Sequence, residues 1–206
     1  MKREEKNQQT RQKILTHALC EFAQNGYQGA SLNAVCQSGG ISKGIIYHYF
    51  DSRDDLYLRC LETCFQALTA TLTEHLADCG DSGAESRILR YFDIRMDFFR
   101  QNPDFARLFC EAVVMPPIHL KAEIDTLRRP FDRFNNEILR GILREHPLRP
   151  DLTEEEIIDI FRRYQDFLNA GFRPDSGGAF DMERHERECK NALTIFLYGI
   201  FERKDD

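Results

Sequence analysis

The stretch that most constrains the fold is SLNAVCQSGGISKGIIYHYFDSRDD, residues 31–55. It reads as a short helix, a tight glycine turn, a second short helix and the capped start of a long third one. Ser31 begins the first piece, and Leu32, Val35 and Cys36 give it an apolar face. Gly39-Gly40 follows, and glycine tolerates the left-handed backbone that a sharp helix end needs. Ile41 is expected as a buried plug at the corner. Ser42 is expected as N-cap of a second helix holding Lys43, Gly44, Ile45, Ile46, Tyr47 and His48. Two helices joined by a short glycine-containing turn form a helix-turn-helix, whose second helix lies in the DNA major groove.

The run Gly40-Ile41-Ser42-Lys43-Gly44-Ile45-Ile46-Tyr47-His48-Tyr49-Phe50 closely resembles the recognition-helix signature of the TetR family of bacterial transcriptional regulators. Ser52-Arg53-Asp54-Asp55-Leu56 resembles the start of that family's fourth helix. The resemblance covers residues 8–60 and departs at two positions. Ile45 stands where the family often has a small or hydroxylated residue, so a polar contact is lost or replaced by an apolar one. Gly39 stands where alanine is usual, which would loosen the end of the first short helix. Past residue 80 there is no motif, and the family reading rests on helix count and length.

The resemblance implies an all-α fold with an N-terminal helix-turn-helix domain and a helical C-terminal domain for ligand binding and dimerisation. It implies a ligand-responsive repressor that binds a palindromic double-stranded DNA operator as a homodimer and is released by a small molecule.

Composition agrees. The chain has 206 residues and a net charge of −6, which looks wrong for a DNA binder until it is divided. Residues 1–60 carry eight Lys/Arg and six Asp/Glu, a balance of +2, whereas residues 61–206 carry 20 and 28, a balance of −8. The basic excess sits with the helix-turn-helix. Seven cysteines without a regular framework suggest reduced thiols in a cytoplasm. No apolar run approaches the ~18 residues of a membrane span, and the N-terminus has no apolar signal core.

Periodicity predicts about nine helices. The first spans residues 8–25 and stops at Gly26; the fourth runs from Arg53 to about Ala77. Ser52 and Asp55 form a capping-box-like start to it. A polar break at 78–83 separates a DNA-binding domain, residues 1–55 with its connecting helix to about 78, from a helical domain at 79–206. Further helices are expected at 84–101, 103–115, 118–145, 153–172 and 181–202, with Pro130 kinking or interrupting the long one.

Candidate DNA contacts are Ser31, Ser42, Lys43, Gly44, Ile45, Tyr47, His48 and Arg53. The second short helix cannot bury all its aromatics, so Tyr47 and His48 are expected to present polar tips to phosphates. Phe50 should face the first helix. Lys43 and Arg53 stand near helix N-termini, where N–H groups and a cation together bind anions. Lys2, Arg3, Lys6 and Arg11 form a charged arm that either tracks the groove or is a tail.

In the 84–101 helix, Arg95 falls in the middle of a broad apolar arc. An unpaired charge there would be expensive. Two readings stand open: an internal ion pair with Glu111, Glu123 or Asp166, or an anchor for an anionic effector with an apolar body, beside Phe92, Met96 and Phe99. In the last two helices, Phe161, Tyr164, Ile195, Leu197 and Phe201 are expected at a two-fold interface. Cys60 and Cys64 lie one turn apart on an apolar face, as core or as sensing thiols. The six histidines show no ligand spacing, so no metal or cofactor is expected, and no catalytic constellation points to an enzyme. Two other classes remain: a ligand-independent dimeric architectural protein, and a helical carrier or enzyme that keeps the motif as scaffold.

Overall fold

The computed structural model describes residues 2–77, 83–145, 147–171 and 182–200. Among them are nine α-helices and no strand. These are α1 (Lys2–Gly29), α2 (Leu32–Gly39), α3 (Lys43–Tyr49), α4 (Arg53–Ala77), α5 (Ala84–Gln101), α6 (Pro103–Val114), α7 (Lys121–Leu143), α8 (Glu154–Gly171) and α9 (Met182–Ile200). A 3-10 turn, Ile118–Leu120, precedes α7.

The chain forms two compact units, neither continuous in sequence. One comprises Met1–Gln66 and Asn102–Arg128, the other Ala67–Gln101 and Arg129–Asp206. Residues 102–128 therefore belong with the N-terminal helices, although the polar break lies before them.

In the first unit, Ile14, Ala18 and Phe22 of α1 are buried with Val35, Ile41, Ile46, Phe50, Leu56, Tyr57, Cys60 and Leu61. The charged arm is helical and forms the first turns of α1. Asn7 accepts a hydrogen bond from the Tyr49 hydroxyl, and the Arg11 guanidinium lies 5.3 Å from the Phe50 ring centroid. Gly26 does break α1: its backbone leaves helical geometry at φ 66°, ψ 171°, and a last turn resumes to Gly29.

Of the expected kink or interruption at Pro130, the interruption does not occur: α7 runs through it from Lys121 to Leu143. A proline removes one N–H donor. Ile124, Phe131, Leu139, Ile142 and Leu143 are buried along the helix on both sides of it. The division between the units falls at Arg128, just ahead of the proline.

In the second unit, α5 contributes Ile88, Tyr91, Phe92, Ile94, Phe98 and Phe99 to the core, and α9 contributes Ala192, Leu193 and Leu197. Leu89, assigned by periodicity to the apolar arc, is 39% exposed at its edge.

Candidate nucleic-acid interface

The helix-turn-helix is held by caps at each junction. Ser31 Oγ accepts from the Asn33 N–H at 3.2 Å, and the Ser31 N–H donates to Glu21 Oε1 at 2.9 Å. The end of α2 turns on Gly40, which is left-handed at φ 56°, and the Ile41 N–H closes back on the Cys36 carbonyl at 2.9 Å. Gly39 does not loosen this end. A Cβ there would lie 2.7 Å from Ile41 Cδ1 and 3.1 Å from His17 Cδ2. The missing side chain is the space in which Ile41 plugs the corner. Ser42 caps α3, its Oγ accepting from the Ile45 N–H at 3.3 Å.

On α3 the core takes Ile46, and Phe50 follows it inward. Lys43, Gly44, Ile45, Tyr47 and His48 are exposed. Ser42 is exposed and Ser31 half-buried, and the hydroxyl of each is engaged as a cap. α4 starts as expected, with Ser52 Oγ accepting from the Asp55 N–H at 3.0 Å. The return bond differs from a capping box, because the Asp55 carboxylate reaches the Asp51 N–H at 3.1 Å.

Arg53, expected at a phosphate, also makes contacts within its own unit. It donates to the Tyr27 carbonyl oxygen, and its guanidinium lies 4.4 Å from the Tyr27 ring centroid. Tyr27 anchors a polar cluster that sequence reasoning missed. The break at Gly26 takes the Tyr27 N–H out of the α1 ladder, and Glu111 of α6 accepts it at 2.7 Å. The other Glu111 oxygen accepts from the Tyr57 hydroxyl at 3.0 Å. Burial raises the Glu111 pKa, against the opposing pull of these two donors and of Arg53. The Tyr27 hydroxyl donates to Asp54 Oδ1 at 2.6 Å and lies 3.0 Å from His119 Nε2. Burial and the Asp54 bond push its pKa up to about 12. The one legible signal was Gly26, since a helix break frees a donor that something must satisfy.

In the second unit Arg95 is buried and paired with Glu186, a carboxylate outside the three expected. Its Nη2 meets Glu186 Oε1 at 2.6 Å, with side chains 8% and 0% exposed. Its Nη1 donates to the Tyr91 hydroxyl at 3.0 Å. The rings of Tyr91, Phe92 and Phe131 lie 5.5, 6.0 and 5.8 Å from the guanidinium carbon. Burial opposes the charge, but Glu186 and Tyr91 outweigh it and hold the pKa above its ordinary range. Glu186 was overlooked because its neighbours Glu183, Arg184, Arg187 and Glu188 are exposed charges. Helical spacing was the available signal: His185 and Glu186 precede Cys189, Ala192 and Leu193 on one inward face. Phe92 and Phe99 are buried and Met96 is half-buried.

The last two helices split their apolar residues in two. Phe161 and Leu197, expected at an interface, are buried within their own unit at 7% and 4% exposure. The Phe161 ring lies tilted against Phe196, centroids 5.6 Å apart. Ile160, Phe167 and Ile195 point outward, at 48%, 70% and 72% exposure, with Tyr164 half-buried between. Phe201 lies outside the described residues. Cys60 and Cys64 are core thiols: burial pushes Cys60 up to about 12 and Cys64 further still. No group of three potential metal ligands occurs among the described residues, and none of their helices is long and apolar enough to cross a membrane.

A capped helix-turn-helix whose second helix turns a lysine, a histidine and a tyrosine to solvent defines a DNA-binding regulator. Residues 14–60 match the family model for bacterial regulatory proteins of the tetR family, and residues 84–199 match the tetracyclin repressor-like C-terminal domain. The chain belongs to the TetR family of transcriptional regulators, DNA-binding proteins that respond to ligands. It is 26% identical over 194 residues to the HTH-type transcriptional regulator RutR of Escherichia coli K12, covering 92% of this chain and 90% of that one. Among solved structures it is similar to reduced NemR of Escherichia coli, at TM-score 0.65 and 21% identity over 96% of this chain and 100% of that one. It is also similar to FadR of Bacillus subtilis in complex with stearoyl-CoA, at TM-score 0.67 and 13% identity over 92% and 98%.

Proposed function

We propose that the chain is a homodimeric cytoplasmic repressor that places two α3 helices in successive major grooves of a palindromic operator and leaves it when a small molecule binds. The observation that carries this is the outward surface of α3. Lys43, Tyr47 and His48 offer a cation, a hydroxyl and an imidazole to phosphates, and Ile45 shares that exposed surface. Lys43 is exposed beside the capped start of α3, where helix N–H groups also favour an anion. Arg53 supports the α1–α4 corner through Tyr27, so the proposed phosphate contacts rest on Ser31, Ser42, Lys43, Tyr47 and His48. The exposed apolar side chains Ile160, Phe167 and Ile195, with half-buried Tyr164, support a two-fold interface through α8 and α9, because a partner would cover them.

The effector is proposed to lie beside α5, near Phe92, Met96 and Phe99. With the Arg95 charge matched by Glu186, an anionic effector gains that guanidinium only by displacing Glu186. Such a ligand would shift the protein toward a DNA-incompetent state through its better affinity for that state. Operator DNA would weaken its binding by the same factor.

Selection of bound sequences from random double-stranded DNA tests the central claim. A two-fold symmetric consensus is expected; recovery of no enriched sequence from folded dimer would refute it. Challenging the complex with octanoate and benzoate, each a carboxylate on an apolar body, tests the effector class. Release by neither would remove the anionic effector from the proposal.

A further inference from the structure

Ile45 is the residue on α3 whose exposure the core does not explain. It is 41% exposed, and of the large apolar side chains exposed among the described residues it shares α3 only with Tyr47, which carries a hydroxyl. At about 100° per residue, Gly44 and His48 mark the middle of the outward face, opposite buried Ile46. Ile45 flanks that middle on one side and Tyr47 on the other. Gly44 leaves the surface beside Ile45 open, since a Cβ there would meet nothing closer than Ser42 Oγ at 3.9 Å. A base pair can therefore approach the helix closely at this point.

The edges of base pairs in the major groove are almost all donors and acceptors. The exception is the C5-methyl group of thymine. An isoleucine pressed against a polar edge would strip its water and return no hydrogen bond, which is penalised. Against a methyl group it gains apolar burial. We infer that Ile45 is a specificity-determining residue that reads a thymine methyl group in each operator half-site. The inference rests on the DNA-binding reading above. It gives the departure from a small or hydroxylated residue a function: an apolar contact replaces a polar one.

The test uses the operator recovered by random selection, with each thymine replaced in turn by deoxyuridine, which lacks only the methyl group. Burying one methyl group corresponds to about a fourfold change in affinity per half-site, and about fifteenfold for both half-sites of a dimer. For the wild-type protein, one symmetry-related pair of thymines should show a loss of this size. For Ile45→Ala, thymine and deoxyuridine at that pair should bind within about twofold of each other. Because Ile45 is exposed, this variant should keep the wild-type circular dichroism spectrum. Wild-type affinity that is indifferent to every replacement would overturn the inference, as would Ile45→Ala retaining the full loss, since another residue would then read the methyl group. A selection that enriches no sequence would overturn the DNA-binding reading, and this inference with it.

Discussion

Replacing Arg95 with methionine keeps most of the side-chain volume, removes the charge and leaves Glu186 where it is. The carboxylate is fully buried and its principal partner is the guanidinium at 2.6 Å. What remains near it is His185, with Nδ1 at 3.8 Å from Glu186 Oε1. Breaking a buried pair from one side costs about 3–5 kcal/mol. Against a total stability of about 5–15 kcal/mol that is a large fraction. For a chain of this length it corresponds to a drop in melting temperature of about 6–20 °C. The opposite change, Glu186→Leu, should cost less. It strands a guanidinium that keeps the Tyr91 hydroxyl at 3.0 Å and the three surrounding rings. Each ring contact contributes about 0.5–2 kcal/mol toward holding the cation. The double variant, Arg95→Met with Glu186→Leu, removes both charges and should recover most of the loss, because buried pairs are often replaceable by apolar residues at little net cost. Thermal and urea melts followed by circular dichroism measure all four proteins. If Arg95→Met melts within about 2 °C of wild type, or if the two single changes add in the double variant, the pair is not the structural bond described here.

Lys43→Ala should weaken binding to every DNA sequence and lower the salt slope of log affinity by about one, and Tyr47→Phe should weaken binding without altering sequence preference; unchanged affinity in both, by fluorescence anisotropy, would take them out of the interface. Ile195→Glu should give a folded monomer, because the side chain is 72% exposed, whereas Leu197→Glu should unfold the chain, being 4% exposed; light scattering of Ile195→Glu decides, and a persisting dimer would move the interface away from α9. Burial holds the Glu111 pKa above its ordinary value in the folded state, so its ionised form opposes folding and the protonated form does not. Relative to Glu111→Gln, wild type should therefore gain stability as pH falls from neutral through the raised value to the ordinary carboxylate value, and a pH-independent difference in urea midpoints would contradict that. Cys60 and Cys64 should resist iodoacetamide at neutral pH in the native protein and react on unfolding, and rapid native labelling seen by mass spectrometry would show that the α4 core opens.

Local chemistry determined much of this protein. The caps at Ser31, Ser42 and Ser52, the left-handed Gly40 and the plug at Ile41 are decided by residues within one or two turns of each other, and so are legible in sequence. The same holds for the inward turn of Ile46 and Phe50, which leaves Lys43, Tyr47 and His48 facing out. Helix limits such as Arg53–Ala77 and Ala84–Gln101 follow from periodicity and flanking breaks. Only tertiary structure decided the rest. Gly26 announces a freed N–H, but that Glu111, 84 residues away, accepts from Tyr27 depends on α6 meeting α1. Arg95 announces that it needs a partner, yet Glu186 is chosen by the packing of α9 on α5. In α8 the apolar stripe is wider than one contact surface. Periodicity cannot divide it, whereas the fold turns Phe161 inward and leaves Ile160, Phe167 and, from α9, Ile195 outside. A side chain's need for burial or for a partner is a local property; the identity of what satisfies it is set by helices that meet far apart in the chain.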